Sequence, residues 1–456
     1  MPIHAAHNIL ELVGKTPLVR LNKLATHVKA NIYLKLEYMN PGGSVKDRPA
    51  LQIIEEAERS GELRPGGTIV EATSGNTGMG LAMAAAVKGY SCIFVMPDKM
   101  SEEKIRALRG CGAKVVVCPT AVEPTDPRSY YRVAERLARE TPGGFLANQY
   151  HNPSNPLGHY KTTGPELWEQ TEGELDVFVS SAGTGGTISG TGRYLKEKNP
   201  HIKIVAVDPI GSIYYDYFYT GKITEANTYL VEGFGEDFLP STMNFDYVDE
   251  VVRVTDAECF HTTRRLVREE GVFAGGSSGG AIAGAIKYAE RFPEKPLNIV
   301  VIMCDSYVRY LSKIFDDGWM RENGFLSERG EGGTVADLLG QKPRTIYTAK
   351  LGQPIREVID MMKGHGISQL PVLDNDRIIG LVNEATVLNH LLNQTNPNDP
   401  IDQLVETNFA IVEPANRLAM VGQFFRQNKV VLVTDNRKLV GIITKIDYID
   451  HVSHKL

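Results

Sequence analysis

Cysteine is sparse in this chain and badly spaced for most of its specialised uses. The five cysteines, Cys92, Cys111, Cys118, Cys259 and Cys304, form neither a CxxC pair nor a compact zinc pattern, so a metal-bound fold is not expected. Their neighbours are mostly apolar and their number is odd, which suits buried free thiols in a reducing compartment better than a disulfide framework. Long hydrophobic runs are also missing. No stretch reaches 18 uninterrupted apolar residues, and no basic segment leads into an apolar run at the N-terminus, so a soluble cytoplasmic protein without a membrane partner is expected. There is no basic excess either: the formal net charge of -6 argues against a nucleic-acid-binding body. Gly14-Lys15-Thr16 imitates the end of a P-loop, but the full pattern needs a glycine where Ile9 stands, which excludes an ATPase of that type.

What is abundant is glycine, 44 residues in an Ala-rich apolar chain long enough for two or three domains. Asn31–Glu37 alternates as a strand and runs into Asn40-Pro41-Gly42-Gly43-Ser44-Val45-Lys46-Asp47-Arg48. Pro49 and the apolar face of Leu51, Ile53, Ile54 and Ala57 then predict a helix, placing Lys46 at its start. Strand 68–72, loop 73–78, apolar helix 79–88, strand 91–97, helix 101–110 and strand 114–118 give a βαβαβ unit of a parallel sheet covered on both faces. Further on, strand 176–180 opens directly into Gly183-Thr184-Gly185-Gly186-Thr187 and a helix, and Gly275-Gly276-Ser277 precedes another Ala-rich helix. Asn152-Pro153-Ser154-Asn155-Pro156 reads as irregular because it is crowded with turn formers.

Gly183–Thr187 is the best phosphate cradle in the chain. Unpaired backbone N–H groups project from a helix N-terminus, the helix dipole favours an anion, and the threonine hydroxyls add donors. The competing reading is a tight turn needed only for packing. A dinucleotide fingerprint fits less well, since GTGGT has the wrong order and comes too late in the chain. Ser277 is either a helix cap or a ligand contact. Thr73-Ser74-Gly75-Asn76-Thr77 either caps its helix or holds a carboxylate there, with Asn76 able to donate to a ring oxygen. Three donor loops, one phosphate site and one lysine together point to pyridoxal phosphate, with Lys46 as its covalent partner.

On the motifs at 40–48, 73–78, Pro97-Asp98-Lys99-Met100-Ser101, 183–187 and 275–277, residues 5–325 resemble the fold-type-II pyridoxal-phosphate enzymes of the cysteine synthase and cystathionine β-synthase group. The resemblance implies an α/β catalytic domain, 1–325, of two interleaved open twisted subdomains. It makes Lys46 the Schiff-base lysine, Asn76 the partner of the cofactor's 3′-oxygen, Gly183, Thr184, Gly185, Gly186 and Thr187 the phosphate binders, and Ser277 the partner of the pyridine nitrogen. A neutral hydroxyl there suits β-elimination over transamination. Thr73, Ser74, Thr77 and Gln149 are implied to bind the amino-acid carboxylate.

The implied reaction is a β-replacement joining L-serine to L-homocysteine, with hydrogen sulfide release from cysteine as a further activity. Cysteine synthase, using O-acetylserine and sulfide, shares every one of these motifs and is the alternative. Gly233-Phe234-Gly235-Glu236-Asp237-Phe238, Asp305-Ser306 and Asp317-Gly318-Trp319-Met320 favour the cystathionine branch, with Gly235 and Glu236 on the substrate rim. Glu236 either meets the amino group of homocysteine or is a solvated rim residue. The haem-binding extension of the animal enzymes is expected to be absent, since residues 1–7 are short and no cysteine precedes Cys92.

Residues 326–334 have a linker's composition. Beyond them the chain repeats itself: Leu370-Pro371-Val372-Leu373-Asp374-Asn375 returns as Val431-Leu432-Val433-Thr434-Asp435-Asn436, offset by 61 residues. Halves of about 60 residues are too small to stand alone and are expected to stack as one module. They resemble the α+β tandem CBS regulatory motif, here 335–395 and 396–456. In the second half, Thr444 and Asp447 match the family's adenosyl-contacting pattern, a carboxylate being able to accept both ribose hydroxyls. The first half departs from that pattern at Gly380–Thr386, so one site is expected, for S-adenosylmethionine or an adenine nucleotide. Pairing of such modules between chains implies a homodimer or a higher oligomer.

Overall fold

The computed structural model describes residues 5–73, 75–98, 100, 102–119, 122, 126–326, 334–340, 345–375, 377–392, 396–416, 418–426, 429–435 and 438–453. Ser74, Lys99, Ser101, Asn436 and most of the expected linker therefore lie outside the described residues. The chain divides into two compact units, Met1–Phe325 and Leu326–Leu456. Among the described residues no helix is long and apolar enough to cross a membrane.

In the first unit β1 (Leu18–Arg20) and β2 (Asn31–Lys35) lead to α1 (Asp47–Ser60). The βαβαβ run follows as β3 (Thr68–Ala72), α2 (Asn76–Lys88), β4 (Ser91–Pro97), α3 (Glu102–Gly110) and β5 (Lys114–Cys118). Next come α4 (Tyr130–Glu140), β6 (Gly144–Leu146), α5 (Ser154–Lys161) and α6 (Thr163–Gln170). Then β7 (Val177–Ser181), α7 (Gly186–Lys198), β8 (Lys203–Pro209) and α8 (Tyr214–Thr220) alternate. The unit ends with β9 (Glu250–Val254), α9 (Asp256–Arg265), α10 (Gly276–Glu290), β10 (Asn298–Ile302) and α11 (Asp317–Glu322).

These strands make two sheets. One is wholly parallel, in the order β5-β4-β3-β6. The other runs β1-β2-β10-β7-β8-β9, with β1 alone antiparallel. Every residue of β7 is buried, and four of the five in β3, so neither strand shows the polar–apolar alternation of a half-exposed sheet. α2 and α10, apolar on nearly all sides, are buried in the same way.

Two elements depart from the sequence reading. Residues 152–156 are irregular only at Asn152 and Pro153: α5 starts at Ser154, where the Asn152 side chain accepts from the Ser154 N–H at 2.9 Å. Pro156 falls in the first turn, where a missing N–H costs the helix nothing. The α2 helix begins at Asn76 rather than at Met79, so Asn76 and Thr77 stand on its first turn.

The second unit holds α12 (Val335–Leu339), β11 (Ala349–Lys350), α13 (Ile355–His365), β12 (Gln369–Asp374), β13 (Arg377–Asn383) and α14 (Glu384–Leu392). β14 (Phe409–Val412), α15 (Leu418–Arg426), β15 (Val430–Asp435), β16 (Lys438–Ile443) and α16 (Lys445–Ser453) follow. Each half is one parallel strand beside an antiparallel hairpin. The pairing register shifts at Val372/Leu373 in the first hairpin and at Val433/Thr434 in the second, so the 61-residue repeat extends to the irregularity itself. Asn375 takes a left-handed φ of 44° in the first hairpin turn, as asparagine there allows.

Candidate active site

Lys46 occupies the cap position of α1, between β2 and the helix. The turn before it is pinned on both sides: the Val45 N–H donates to the Cys304 carbonyl at 2.8 Å, and the Gly42 N–H donates to Asp47 Oδ2 at 2.5 Å. Beneath α1 lies a buried ion network. Arg48 donates to Glu37 at 2.7 and 2.8 Å and to Glu166 at 2.6 and 2.8 Å, and Lys35 donates to Glu166 at 2.8 Å. Burial pushes both carboxylates up, but Arg48, Lys35 and the hydrogen bonds around them together outweigh it, holding Glu37 below its ordinary range and Glu166 at about 2. Removing one member would strand charge in the interior, so the network fixes the helix that begins at Lys46. Lys46 itself is only partly exposed. Desolvation lowers its ammonium pKa from the ordinary lysine value, against the opposing pull of Cys304, Asp305 and Glu236. The shift favours the neutral amine, the form that accepts a proton.

Lys46 shares a narrow cleft with Asn76, Gly183, Thr184, Gly185, Thr187 and Ser277. The structure thus gathers on one cleft expected site residues as far apart in the chain as Lys46 and Ser277, 231 positions. Asn76 Nδ2 donates to Asp305 Oδ2 at 2.8 Å, while its buried Oδ1 has no protein partner. Ser277, on the first turn of α10, is 1% exposed. Gly185 has φ +80°, and a Cβ there would lie 2.5 Å from Met243 Cα, so only glycine lets the loop pass Met243 into α7. The Tyr214 hydroxyl donates to the Gly183 carbonyl and the Thr242 hydroxyl to the Thr184 carbonyl, each at 2.6 Å. Both bonds turn carbonyls away and leave N–H groups of the α7 N-terminus for an anion.

Beside this cleft, the Thr77 hydroxyl donates to Gln149 Oε1 at 2.5 Å, and Gln149 Nε2 donates to the Ala72 carbonyl at 3.3 Å. Thr73 Oγ1 accepts from the N–H groups of Gly75 and Gly78 at 3.0 and 3.3 Å, so its side chain caps α2. Gly235 turns with φ +78° and donates its N–H to the Ala182 carbonyl at 2.7 Å; a Cβ there would strike Pro209. The charge of the half-buried Glu236 opposes the desolvation that lowers the Lys46 pKa and, secondary to burial, adds to the rise of the tyrosines 130, 150 and 214.

Sequence reasoning missed Cys304 as a member of the cleft and Asp305 as the partner of one. Cys304 lines it, with its thiol 3.3 Å from Ser181 Oγ and its pKa raised by burial. Asp305 follows, accepting from Asn76 and, at 2.7 Å, from the Tyr310 hydroxyl. All of these sit at the C-terminal ends of the parallel strands β7 and β10, the edge where open α/β sheets bind ligands, and that rule applied to predicted strand ends would have flagged them.

The donor set fits pyridoxal phosphate: a lysine amine, a helix N-terminus free of side-chain bulk, a buried hydroxyl and the Asn76 amide converge on one cleft. Fold and site define a fold-type-II pyridoxal-phosphate-dependent enzyme. The sequence model of the family described as "Pyridoxal-phosphate dependent enzyme" matches residues 9–305, and that of the CBS domain matches 337–393. The chain is 40% identical over 473 residues to cystathionine β-synthase of Oryctolagus cuniculus, covering 98% of this chain and 85% of that one. It is 37% identical over 464 residues to that of Dictyostelium discoideum, covering 98% and 92%. A solved hydrogen sulfide-producing enzyme from Fusobacterium nucleatum superposes with a TM-score of 0.63 at 36% identity, over 67% of this chain and all of that one. The chain belongs to the cystathionine β-synthase family, whose chemistry is pyridoxal-phosphate-dependent β-replacement.

In the second unit, Thr444 and Asp447 line a cavity of about 590 Å³ together with Leu338, Tyr347, Ser368 and Asp450. That volume is of ligand size. Thr444 Oγ1 donates to Asp447 Oδ2 at 2.5 Å, and the Thr444 N–H donates to the same oxygen at 2.9 Å, so the pair also caps α16.

Proposed function

We propose that the chain joins L-serine to L-homocysteine, giving L-cystathionine and water. What supports this choice is the likeness to cystathionine β-synthases over 98% of the chain; we read Glu236, whose charge acts on Lys46, as the partner of the second amino acid's amino group. When bound, pyridoxal 5′-phosphate supplies the electron withdrawal that loosens the bonds at an amino acid's α-carbon. Lys46 anchors it covalently. The Lys46 amine, whose pKa desolvation lowers, takes the α-proton of serine, passes it to the β-hydroxyl as that leaves as water, and carries the proton shed by the adding thiol to the α-carbon. Thr73, Ser74, Thr77 and Gln149 hold the serine carboxylate. Asn76 donates to the 3′-oxygen with the second N–H of Nδ2, Ser277 faces the ring nitrogen, and Gly183 to Thr187 hold the phosphate.

Comparison of kcat/KM for serine plus homocysteine with that for O-acetylserine plus sulfide tests the choice. A higher value for the first pair is expected; the reverse makes the chain a cysteine synthase. The likeness to the Fusobacterium nucleatum enzyme supports hydrogen sulfide release from L-cysteine as a secondary activity.

The 590 Å³ cavity supports an adenosyl ligand, S-adenosylmethionine or an adenine nucleotide, with Asp447 at the ribose hydroxyls. Calorimetric titration with each tests this, and no heat with any of them refutes a sensor role. Phe273, Val308 and Leu311 expose large apolar side chains around one turn, which supports a homodimer, to be checked by sedimentation. The five free cysteines support a reducing, cytoplasmic setting.

A further inference from the structure

Behind the Gly183–Thr187 loop lies a buried histidine that the chemistry above does not use. His159, on α5, is 0% exposed. Its Nδ1 is 2.8 Å from Thr163 Oγ1 on α6, and its Nε2 is 3.2 Å from Thr187 Oγ1 on the first turn of α7. Thr187 lines the cleft. The ring has little freedom to move. A Cβ added at Gly190 would strike the Pro156 carbonyl and come 3.0 Å from His159 Cβ, so α5 and α7 are packed to contact.

Burial pushes the His159 pKa well below its ordinary value, the positive charges of Lys46 and Arg48 add to that, and Glu166 opposes. The ring is therefore neutral, with one donor and one acceptor nitrogen. The two tautomers have opposite consequences for the cleft. With the proton on Nδ1, Nε2 accepts from the Thr187 hydroxyl, whose oxygen lone pairs are then all that is left for an incoming anion. With the proton on Nε2, the ring donates to Thr187 Oγ1 and the Thr187 hydroxyl proton is free for the cleft. Thr163, whose hydroxyl can donate to a bare Nδ1, is compatible with the second arrangement.

We propose that His159 is a positioning residue for the cofactor phosphate: its Nε2–H donates to Thr187 Oγ1 and so commits the Thr187 hydroxyl to donate to the phosphate, with the Thr163 hydroxyl donating to Nδ1 and fixing the tautomer. This rests on reading Gly183–Thr187 as the phosphate loop. No proton is transferred. Three hydroxyl or ring N–H donors are set in one direction, and a charge-assisted bond to the phosphate stands at its end.

Nitrogen-15 NMR of the histidine-labelled holo-protein reads the tautomer without any substitution. The expected result is a protonated Nε2 and an unprotonated Nδ1 in His159; a protonated Nδ1, or an imidazolium, overturns the relay. Affinities for pyridoxal 5′-phosphate and for pyridoxal, measured by equilibrium dialysis of apo-protein, give the second readout. His159→Gln, whose amide can donate from the Nε2 position, should stay within about 3-fold of the natural chain for the phosphorylated cofactor. His159→Leu should lose about 10-fold or more for it while leaving pyridoxal binding unchanged. Equal losses for both ligands in His159→Leu make the role one of packing and overturn the proposal. Pyridoxal binding as tightly as its phosphate to the natural chain overturns the phosphate-loop reading and the relay with it. Phosphate-dependent binding with a protonated Nδ1 overturns the relay alone.

Discussion

Asn76 and Asp305 meet across the cleft at 2.8 Å, tying the first turn of α2 to the end of β10. Asp305 Oδ2 also accepts from the Tyr310 hydroxyl at 2.7 Å, so its carboxylate orients the Asn76 amide with Nδ2 toward itself. Asp305→Ala frees that amide. A hydrogen bond to a charged group contributes about 1.5–3 kcal/mol, so affinity for pyridoxal 5′-phosphate should fall by about 10-fold or more, measured by fluorescence of the released cofactor. Tyr310→Phe, which leaves the Asn76 bond in place, should cost less. An Asp305→Ala chain that holds the cofactor as tightly as the natural one removes Asp305 from the site.

Gln149 hangs between the Thr77 hydroxyl and the Ala72 carbonyl, at the edge of the loop assigned to the substrate carboxylate. Gln149→Ala is expected to raise KM for serine about 10-fold with little change in the absorption of the bound cofactor. Thr77→Val should move the same parameter in the same direction. A shift in cofactor spectrum with an unchanged KM would place both residues on the cofactor instead of on the substrate.

Much of this site could be read from the chain alone, because its loops are local. Lys46, Asn76, Gly183–Thr187 and Ser277 each lie within a few residues of a strand end or a helix start, where glycine, threonine and asparagine have few uses other than turning or donating. The repeat in the second unit was equally plain, since hairpin strands carry their own pattern. What could not be read depends on packing between distant elements. His159 meets Thr187 only because α5 lies along α7, and α5 was hidden by the turn formers Asn152, Pro153 and Pro156, which in place begin the helix instead of preventing it. Cys304 and Asp305 enter the cleft only when β10 pairs with β2 and β7, far apart in sequence.

Glu71, on β3, is 1% exposed, and its Oε1 accepts from the Gln149 N–H at 3.4 Å while Oε2 has no partner. Burial raises its pKa to about 8, with the backbone N–H groups of Gln149 and Asn148 opposing. A folded-state pKa above the unfolded value of about 4.3 makes its contribution to stability complete below pH ~4.3 and lost as pH rises toward about 8. Glu71→Gln keeps an acceptor for those amides and removes the ionisation. Relative to the natural chain, its unfolding free energy from urea titration should be higher by about 1 kcal/mol at pH 5 and by about 5 kcal/mol at pH 8.5. A constant difference across that range would show that Glu71 does not titrate between the two states.

Glu236 should matter to the second substrate more than to the first. Glu236→Ala is expected to raise KM for homocysteine several-fold, about what one exposed charge contact contributes, and to leave KM for serine within about 2-fold. Its tyrosine neighbours would also lose a nearby negative charge, since Glu236 adds to the burial that raises Tyr150 and Tyr214. Equal increases for both substrates would return Glu236 to the rim as a solvated carboxylate.

Borohydride reduction of the holo-protein, followed by peptide mass spectrometry, bears most directly on the role given to Lys46, because it turns the cofactor–lysine linkage into a stable secondary amine wherever that linkage lies. The expected result is a phosphopyridoxyl group on Lys46 of the Asn40–Arg48 stretch, absent from a Lys46→Ala chain that has also lost cystathionine formation. A label on Lys35 or Lys104, or an unlabelled Lys46 in an active protein, would contradict it.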